Sequence, residues 1–251
     1  MQNNIGGGEG VEGLYGSIRG ASMEKILQCM KKRCNLDDKS HLLDVGSGLC
    51  RPLVHAMVTA HVGQTTGVEI DRIKCMKAEA FCSQMKKQVY GKKYGVACTV
   101  SMPEIRCSSI EDMKSLDPAT HAYSFWEGVP VEARVRFGRL FSSSKTLKSL
   151  AIVQRSMRKE DPAEEMDALY GFGALVLVGT FPVSMSGSGR NFMAYVFNKA
   201  EEDEIKYREK KSLKKLGSMP SILKQSGRKP TVVAKKVAMC KARSRGLLNL
   251  E

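Results

Sequence analysis

Two short apolar runs, each closed by small or acidic residues, constrain this chain more than anything else in it. The first, His41 to Val45, ends in Gly46-Ser47-Gly48; the second, Thr65 to Ile70, carries Gly67-Val68-Glu69 and begins soon after. An apolar run followed at once by glycines, with helix-forming sequence before the next run, is the pattern of strand, tight turn, helix, strand. The spacing predicts helices over about 51–60 and 71–90, the second with Ile73, Met76, Ala80, Phe81 and Met85 inward. An earlier helix is predicted from a Ser22 cap to about Arg33, with Ile26, Leu27 and Met30 on its buried face. Strands and helices alternating in this way specify a parallel sheet covered by helices.

Further strands are predicted at 98–105, 120–126, 150–154, 174–180 and 191–197, with a helix around 131–141 and none between the last two strands. The expected fold is therefore α/β: a Rossmann-like, mainly parallel seven-stranded sheet ending in an antiparallel hairpin, with a small N-terminal helical segment and a basic C-terminal tail. At 251 residues and 42% hydrophobic composition, the chain can bury one substantial core. The expected organisation is a Gly-rich arm and helix over 1–40 that form part of a lid, a core over 41–200, and a tail over 201–251.

The richest apolar stretch, Ala168 to Val183, is broken by three glycines and Pro182, which argues for buried strand and against a membrane span. Residues 1–10 lack the basic start and apolar middle of a secretory signal, so an intracellular protein is expected. None of the eight cysteines forms a Cys-x-x-Cys pair, and His41, His55, His61 and His121 lack metal-ligand spacing; reduced thiols and no metal are expected.

The formal charge of +14 is concentrated at one end. From Ile205 to Glu251 there are fourteen Lys and Arg against two acids, a net of +12, which leaves +2 for the rest. Clusters such as Lys210-Lys211, Lys214-Lys215, Arg228-Lys229, Lys235-Lys236 and Lys241 to Arg245 suit binding to phosphate backbones. They equally suit a nuclear-import signal or a solvated extension.

The glycines after the first strand let backbone approach a ligand, and an acid ending the second strand can accept both hydroxyls of a ribose. Asp44-x-Gly46-x-Gly48 has an acid inside the strand end and no third glycine, the pattern of S-adenosylmethionine (SAM) enzymes. Their ligand has no pyrophosphate, and the acid can face its positively charged methionyl part. After the third strand, Ile110 could pack on adenine while Ser109, Glu111 or Asp112 accepts from its amino group; a capped helix start accounts for these residues as well. The aromatic segment His121-Ala-Tyr123-Ser124-Phe125-Trp126-Glu127-Gly128-Val129-Pro130 ends the fourth strand, where it lines an acceptor channel or fills the core.

With that order of motifs the chain resembles the class I methyltransferases, and more narrowly the disruptor-of-telomeric-silencing (Dot-one) histone lysine methyltransferases, which lack a SET fold. Leu14-Tyr15-Gly16 resembles the family's loop that closes over the cofactor, with Ser17 where the family has Glu. Asp44-Val-Gly46-Ser-Gly48 and Gly67-Val-Glu69 match its cofactor strands. Tyr123-Ser124-Phe125 stands where the family has Asn-Asn-Phe, and Val183-Ser184-Met185-Ser186-Gly187 with Tyr195 stands for Val-Ser-Trp-Thr-Gly and a downstream Tyr.

The resemblance implies SAM as cofactor, held by Tyr15, Asp44, Gly46, Gly48, Glu69, Ser109, Ile110 and Glu111. It also implies a lysine channel built from Tyr123, Ser124, Phe125, Met185 and Tyr195. The implied substrate is a lysine on the core of a nucleosomal histone, with the tail on nucleosomal DNA, in a nuclear and monomeric enzyme. No His or carboxylate stands out as a base, so desolvation in an apolar channel is the expected means of neutralising the lysine. Two rival readings stand beside this one: a class I RNA methyltransferase whose tail tracks RNA, and a non-catalytic chromatin-binding protein on a methyltransferase scaffold.

Overall fold

A computed structural model of the chain describes residues 9–10, 13–14, 17–90, 102–157, 159–186 and 189–200. Tyr15, Gly187 and the tail over 201–251 lie outside the described residues. In chain order the elements are β1 (Glu9–Gly10), β2 (Gly13–Leu14), α1 (Gly20–Cys34), β3 (His41–Val45), α2 (Arg51–Ala60), β4 (Gln64–Glu69) and α3 (Arg72–Tyr90). They continue with β5 (Glu104–Cys107), β6 (His121–Phe125), α4 (Val131–Ser143), β7 (Ser149–Gln154), α5 (Pro162–Tyr170), β8 (Leu175–Val183) and β9 (Phe192–Lys199).

β1 and β2 pair as a small antiparallel ribbon, and the other strands form one sheet in the order β5-β4-β3-β6-β7-β9-β8. β5, β4, β3, β6 and β7 run parallel, while β9 is antiparallel to both neighbours, so the sheet ends in the anticipated hairpin. Every residue of β3 is buried, as a central strand covered on both faces requires, whereas no residue of the edge strand β5 is fully buried. One core lies under α1, α2 and α3, with Ile26, Leu27, Met30, Leu53 and Ala78 against Leu42, Tyr123 and Val153. The other lies under α4 and α5, with Phe137, Phe141 and Met166 against Leu43, Leu150 and Ile152.

The strand order reverses between β3 and β6, with β4 on one side and β6 on the other. In an open parallel sheet this opens a crevice at the carboxyl ends of those strands. The loops that follow β3, β4, β5 and β6 therefore converge on one place.

Several expectations need correction. Ser22 does not cap α1; the helix starts at Gly20, and the Ser22 hydroxyl accepts from Ser184 N–H at 3.0 Å, drawn away by the chain beyond β8. α3 turns Cys75, Ala78 and Cys82 inward and leaves Ile73 64% and Met76 61% exposed, because small thiols and a methyl fit close against the sheet. Phe81 and Met85 only flank that face, and Ala80 is exposed. The third strand of the core begins at Glu104, not at Cys98, and residues 91–101 are not described.

Helix α5 is an element the sequence reading lacks, although its signals are local. Asp161 accepts from Ala163 N–H at 2.9 Å, Pro162 opens the first turn, and Gly171 closes the helix at φ 74°. Helix α4 meets it at Gly138, where an added Cβ would stand 2.1 Å from the Tyr170 carbonyl oxygen. Gly138→Ala is therefore expected to lower the unfolding free energy by about 1–3 kcal/mol, seen as a lower urea midpoint. An unchanged midpoint would contradict this packing.

Candidate active site

The loop after β3 is built to hug β4. Gly46 N–H and Ser47 N–H both donate to the Val68 carbonyl, at 2.8 and 3.1 Å. Gly46 and Gly48 take φ of +81° and +53°, and Cys50 also sits in the left-handed region as it opens α2. The glycines are needed for conformation and not for crowding, since a Cβ on Gly48 would meet nothing within 4 Å. Crowding instead explains Gly67, whose added Cβ would lie 2.5 Å from Ser47 Oγ and 2.8 Å from Cys50 Sγ. Only glycine lets the turn lie this close to β4.

That closeness brings the acid into place. Glu69, 6% exposed at the end of β4, accepts from Gly48 N–H at 2.8 Å through Oε2 and from Asp71 N–H at 3.0 Å through Oε1. One carboxylate thus bridges both strand ends, and each oxygen keeps further acceptor capacity. Around it opens a crevice continuous with solvent. Val45, Gly46 and Gly48 form its floor, Val68, Glu69 and Ile70 one side, Ser108 to Glu111 the far end, and Phe125, Gly128, Val129, Pro130 and Ala133 the opposite lip.

Six of the eight cofactor candidates line this crevice: Gly46, Gly48, Glu69, Ser109, Ile110 and Glu111. Ile110 is buried with an apolar face to the cavity, and Ser109 hydrogen-bonds the Glu111 carboxylate while accepting from Glu111 N–H at 3.2 Å. Ile110 to Asp112 form a turn and no helix follows, so a helix cap does not account for these residues. Phe125 also lines the crevice, set edge-on to Phe192 with ring centroids 5.3 Å apart.

Asp44 stands behind the floor and not in it. It is 1% exposed, and its Oδ2 has no hydrogen-bond partner. Burial first, and the Glu69 carboxylate second, push its pKa well above the ordinary carboxyl range. Asp44 and Tyr123 are register partners on β3 and β6. Burial, with Asp44 adding to it, likewise pushes the Tyr123 phenol well up, so it is no base at neutral pH.

The other acceptor-side candidates do not converge on the crevice. Tyr123 and Met185 are buried in the core under α1 and α2, and Tyr195 is buried in the core under α4, on the opposite face of the sheet. Ser124 is fully buried and donates to the Val45 carbonyl at 2.6 Å; the Tyr195 hydroxyl accepts from Met157 N–H at 2.9 Å. Trp126 is wholly buried beside Tyr170 and Phe172. Of the segment's aromatic rings, Phe125 alone meets the crevice, and Tyr123 and Trp126 are core.

One pair of motifs is brought together. The chain at 17–19 runs beside 184–186, with Arg19 N–H donating to the Ser184 carbonyl at 3.0 Å and Ser186 N–H to the Ser17 carbonyl at 2.8 Å. Ile18 bridges Met185 across the same junction. Among the described residues no cluster of His, Cys, Asp or Glu is placed to hold a metal ion. Burial pushes the Cys34 thiol up to about 11 and the Cys50 and Cys75 thiols up to about 12, so they are neutral and unreactive at physiological pH.

The chain matches no family model and no curated protein. Its structure is similar to magnesium protoporphyrin IX methyltransferase from Synechocystis, solved with bound SAM: TM-score 0.52, 11% identity, over 72% of this chain and 79% of that one. It is also similar to a putative RNA methyltransferase from Pyrococcus horikoshii: TM-score 0.54, 13% identity, over 79% of this chain and 94% of that one. The fold is the Rossmann-like methyltransferase fold.

Because folding raises the pKa of Asp44, the folded state holds that proton more tightly than the unfolded chain. The group is neutral to stability below the unfolded pKa near about 3.9 and works against the fold as pH rises above it. Asp44→Asn is expected to raise the urea midpoint at pH 8, with the gain shrinking toward pH 4 by up to about 1.4 kcal/mol per pH unit. A difference independent of pH would contradict the assignment.

Proposed function

We propose that the chain is a SAM-dependent methyltransferase whose acceptor belongs to, or lies beside, a nucleic acid. The observation that carries the cofactor reading is the Glu69 carboxylate, held at 2.8 Å by Gly48 N–H on the wall of an open crevice. SAM supplies a methyl group on a cationic sulfur. The residues fit such a group: Glu69 can accept from ribose hydroxyls, Ile110, Val129 and Ala133 offer apolar walls to adenine, and Ser109 and Glu111 can accept from its amino group. Of the charged groups lining the crevice, Glu69 and Glu111 are acidic and Lys74, paired with Asp71 at 3.7 Å, is basic, while burial drives Asp44 behind the floor toward its protonated form.

On the acceptor side the chain works by position. Phe125 and the turn Gly128-Val129-Pro130 form an apolar lip that can carry a flat ring. No described side chain in the crevice is an evident base besides the carboxylates already assigned to the cofactor. A proton lost by the acceptor therefore leaves to solvent.

RNA is the acceptor with the stronger support. An open crevice with one aromatic ring on its lip suits a base better than a narrow lysine channel, Tyr123 and Met185 lie in a different core from Tyr195, and the similar protein from Pyrococcus horikoshii is described as a putative RNA methyltransferase. The +12 of residues 205–251 suits the same strand. A histone lysine in a nucleosome is the second reading. It is favoured by the pairing of 17–19 with 184–186, which sets Ser17, directly after Leu14-Tyr15-Gly16 in the sequence, beside the segment that resembles the family's Val-Ser-Trp-Thr-Gly, and a nuclear location goes with it.

Glu69→Ala is expected to abolish SAM binding in a calorimetric titration, and unchanged affinity would count against the cofactor reading. Removing 205–251 is expected to weaken salt-sensitive retention on RNA and DNA while sparing SAM affinity; unchanged retention would contradict the tail's part. Labelled SAM offered with RNA, nucleosomes or free histones decides the acceptor: label in RNA supports the first reading, and label in a histone replaces it with the second.

A further inference from the structure

Beside the crevice, two arginines from separate loops meet on one carboxylate. Arg155 follows β7, Arg190 precedes β9, and the β7–β9 register, with Gln154 opposite Met193, brings both to the same rim. Glu127 follows β6, between Phe125 and Gly128 of the crevice lip. Its Oε1 accepts from Arg155 Nη2 at 2.5 Å and from Arg190 Nη1 at 3.1 Å. Both guanidinium groups are more than half exposed, while Glu127 is the more buried member at 26%.

The loop that carries Glu127 is held rigidly. Trp126 N–H donates to the Val153 carbonyl at 2.8 Å, and Arg134 donates to the Trp126 and Val129 carbonyls at 2.6 and 2.9 Å. Two positive forks are thus aimed at one oxyanion position beside the acceptor lip. Arginine pairs in this arrangement suit a phosphate, which offers more oxygens than a carboxylate and more charge than one oxygen of it. The Glu127 carboxylate fills the position when no ligand does.

We propose that Arg155 and Arg190 form a phosphodiester site that seats the acceptor's backbone beside the crevice, with Glu127 as its internal occupant, displaced on binding. This deepens the functional reading above and rests on it for the identity of the acceptor. An incoming strand places a phosphate between the arginines and the adjoining nucleotide over Phe125. Glu127 is then a positioning and competing group, and its loss strengthens strand binding where the loss of an ordinary structural ion pair would weaken it or leave it unchanged.

The test uses the full chain and two fluorescent probes, a single-stranded RNA and a DNA duplex of the same sequence, with affinity measured by anisotropy across a salt series. Glu127→Gln is expected to tighten at least one probe about threefold, the scale of the exposed ion pairs it releases. Arg155→Gln with Arg190→Gln is expected to weaken the same probe and lower its log–log salt slope by about 0.7 for RNA or about 0.9 for duplex. Glu132→Gln, an exposed acid in the first turn of α4, controls for net charge and is expected to change neither. The probe that responds identifies the strand. Equal responses to Glu127→Gln and Glu132→Gln, or an unchanged slope in the double arginine variant, would overturn the site. SAM titration into the unaltered protein reads the parent proposal separately: failure there with the expected anion responses sinks the methyltransferase reading and leaves the phosphate site intact.

Discussion

The bridge that Glu69 makes between β3 and β4 organises the rest of the site. A carboxylate at the end of one strand accepts from the backbone of the turn that ends its neighbour and from the backbone that starts the next helix. Such charge-assisted bonds are stronger than neutral ones and fix both strand ends in one geometry. For the bridge to close, the turn must lie against β4 with no side chain at position 67, and it must pass through two left-handed residues at 46 and 48. The glycines and the acid are one device. Behind the floor Asp44 is buried with an unpartnered oxygen and a pKa driven upward.

This device was legible in sequence because it is local. Gly46, Gly48 and Glu69 each sit at the end of an apolar run, with Gly67 two residues before Glu69, and strand ends of this kind leave few places for a nucleoside. The same locality made β3, α2, β4 and the final hairpin readable. Helix α5 was equally marked, by Asp161, Pro162 and Gly171, but its short amphipathic stretch falls between a strand and a loop where no periodicity draws attention. α3 misled for a different reason. Ranking Ile and Met above Cys as core residues gives the wrong face when the space against the sheet is narrow.

The acceptor side was less legible because its residues depend on which face of the sheet a strand turns toward which helix. Alternation along β6 sends Tyr123 under α1 and α2 and Ser124 to a bond with β3, leaving Phe125 at the strand's end to meet the crevice. Tyr195 is carried by β9 to the other core. No spacing within one segment announces that two aromatic residues from β6 and β9 will lie on opposite faces. For the same reason the meeting of Arg155, Arg190 and Glu127 is invisible in sequence: it is made by the register of three strands.

The central claim is that Glu69 and the turn after β3 grip the nucleoside of SAM. A crystal structure of the protein with S-adenosylhomocysteine, the product left when SAM gives up its methyl, tests it most directly. The account predicts the ribose hydroxyls within hydrogen-bond distance of the Glu69 carboxylate and the adenine against Ile110. A nucleoside bound elsewhere, or side chains closing the crevice in crystals grown with saturating ligand, would contradict it.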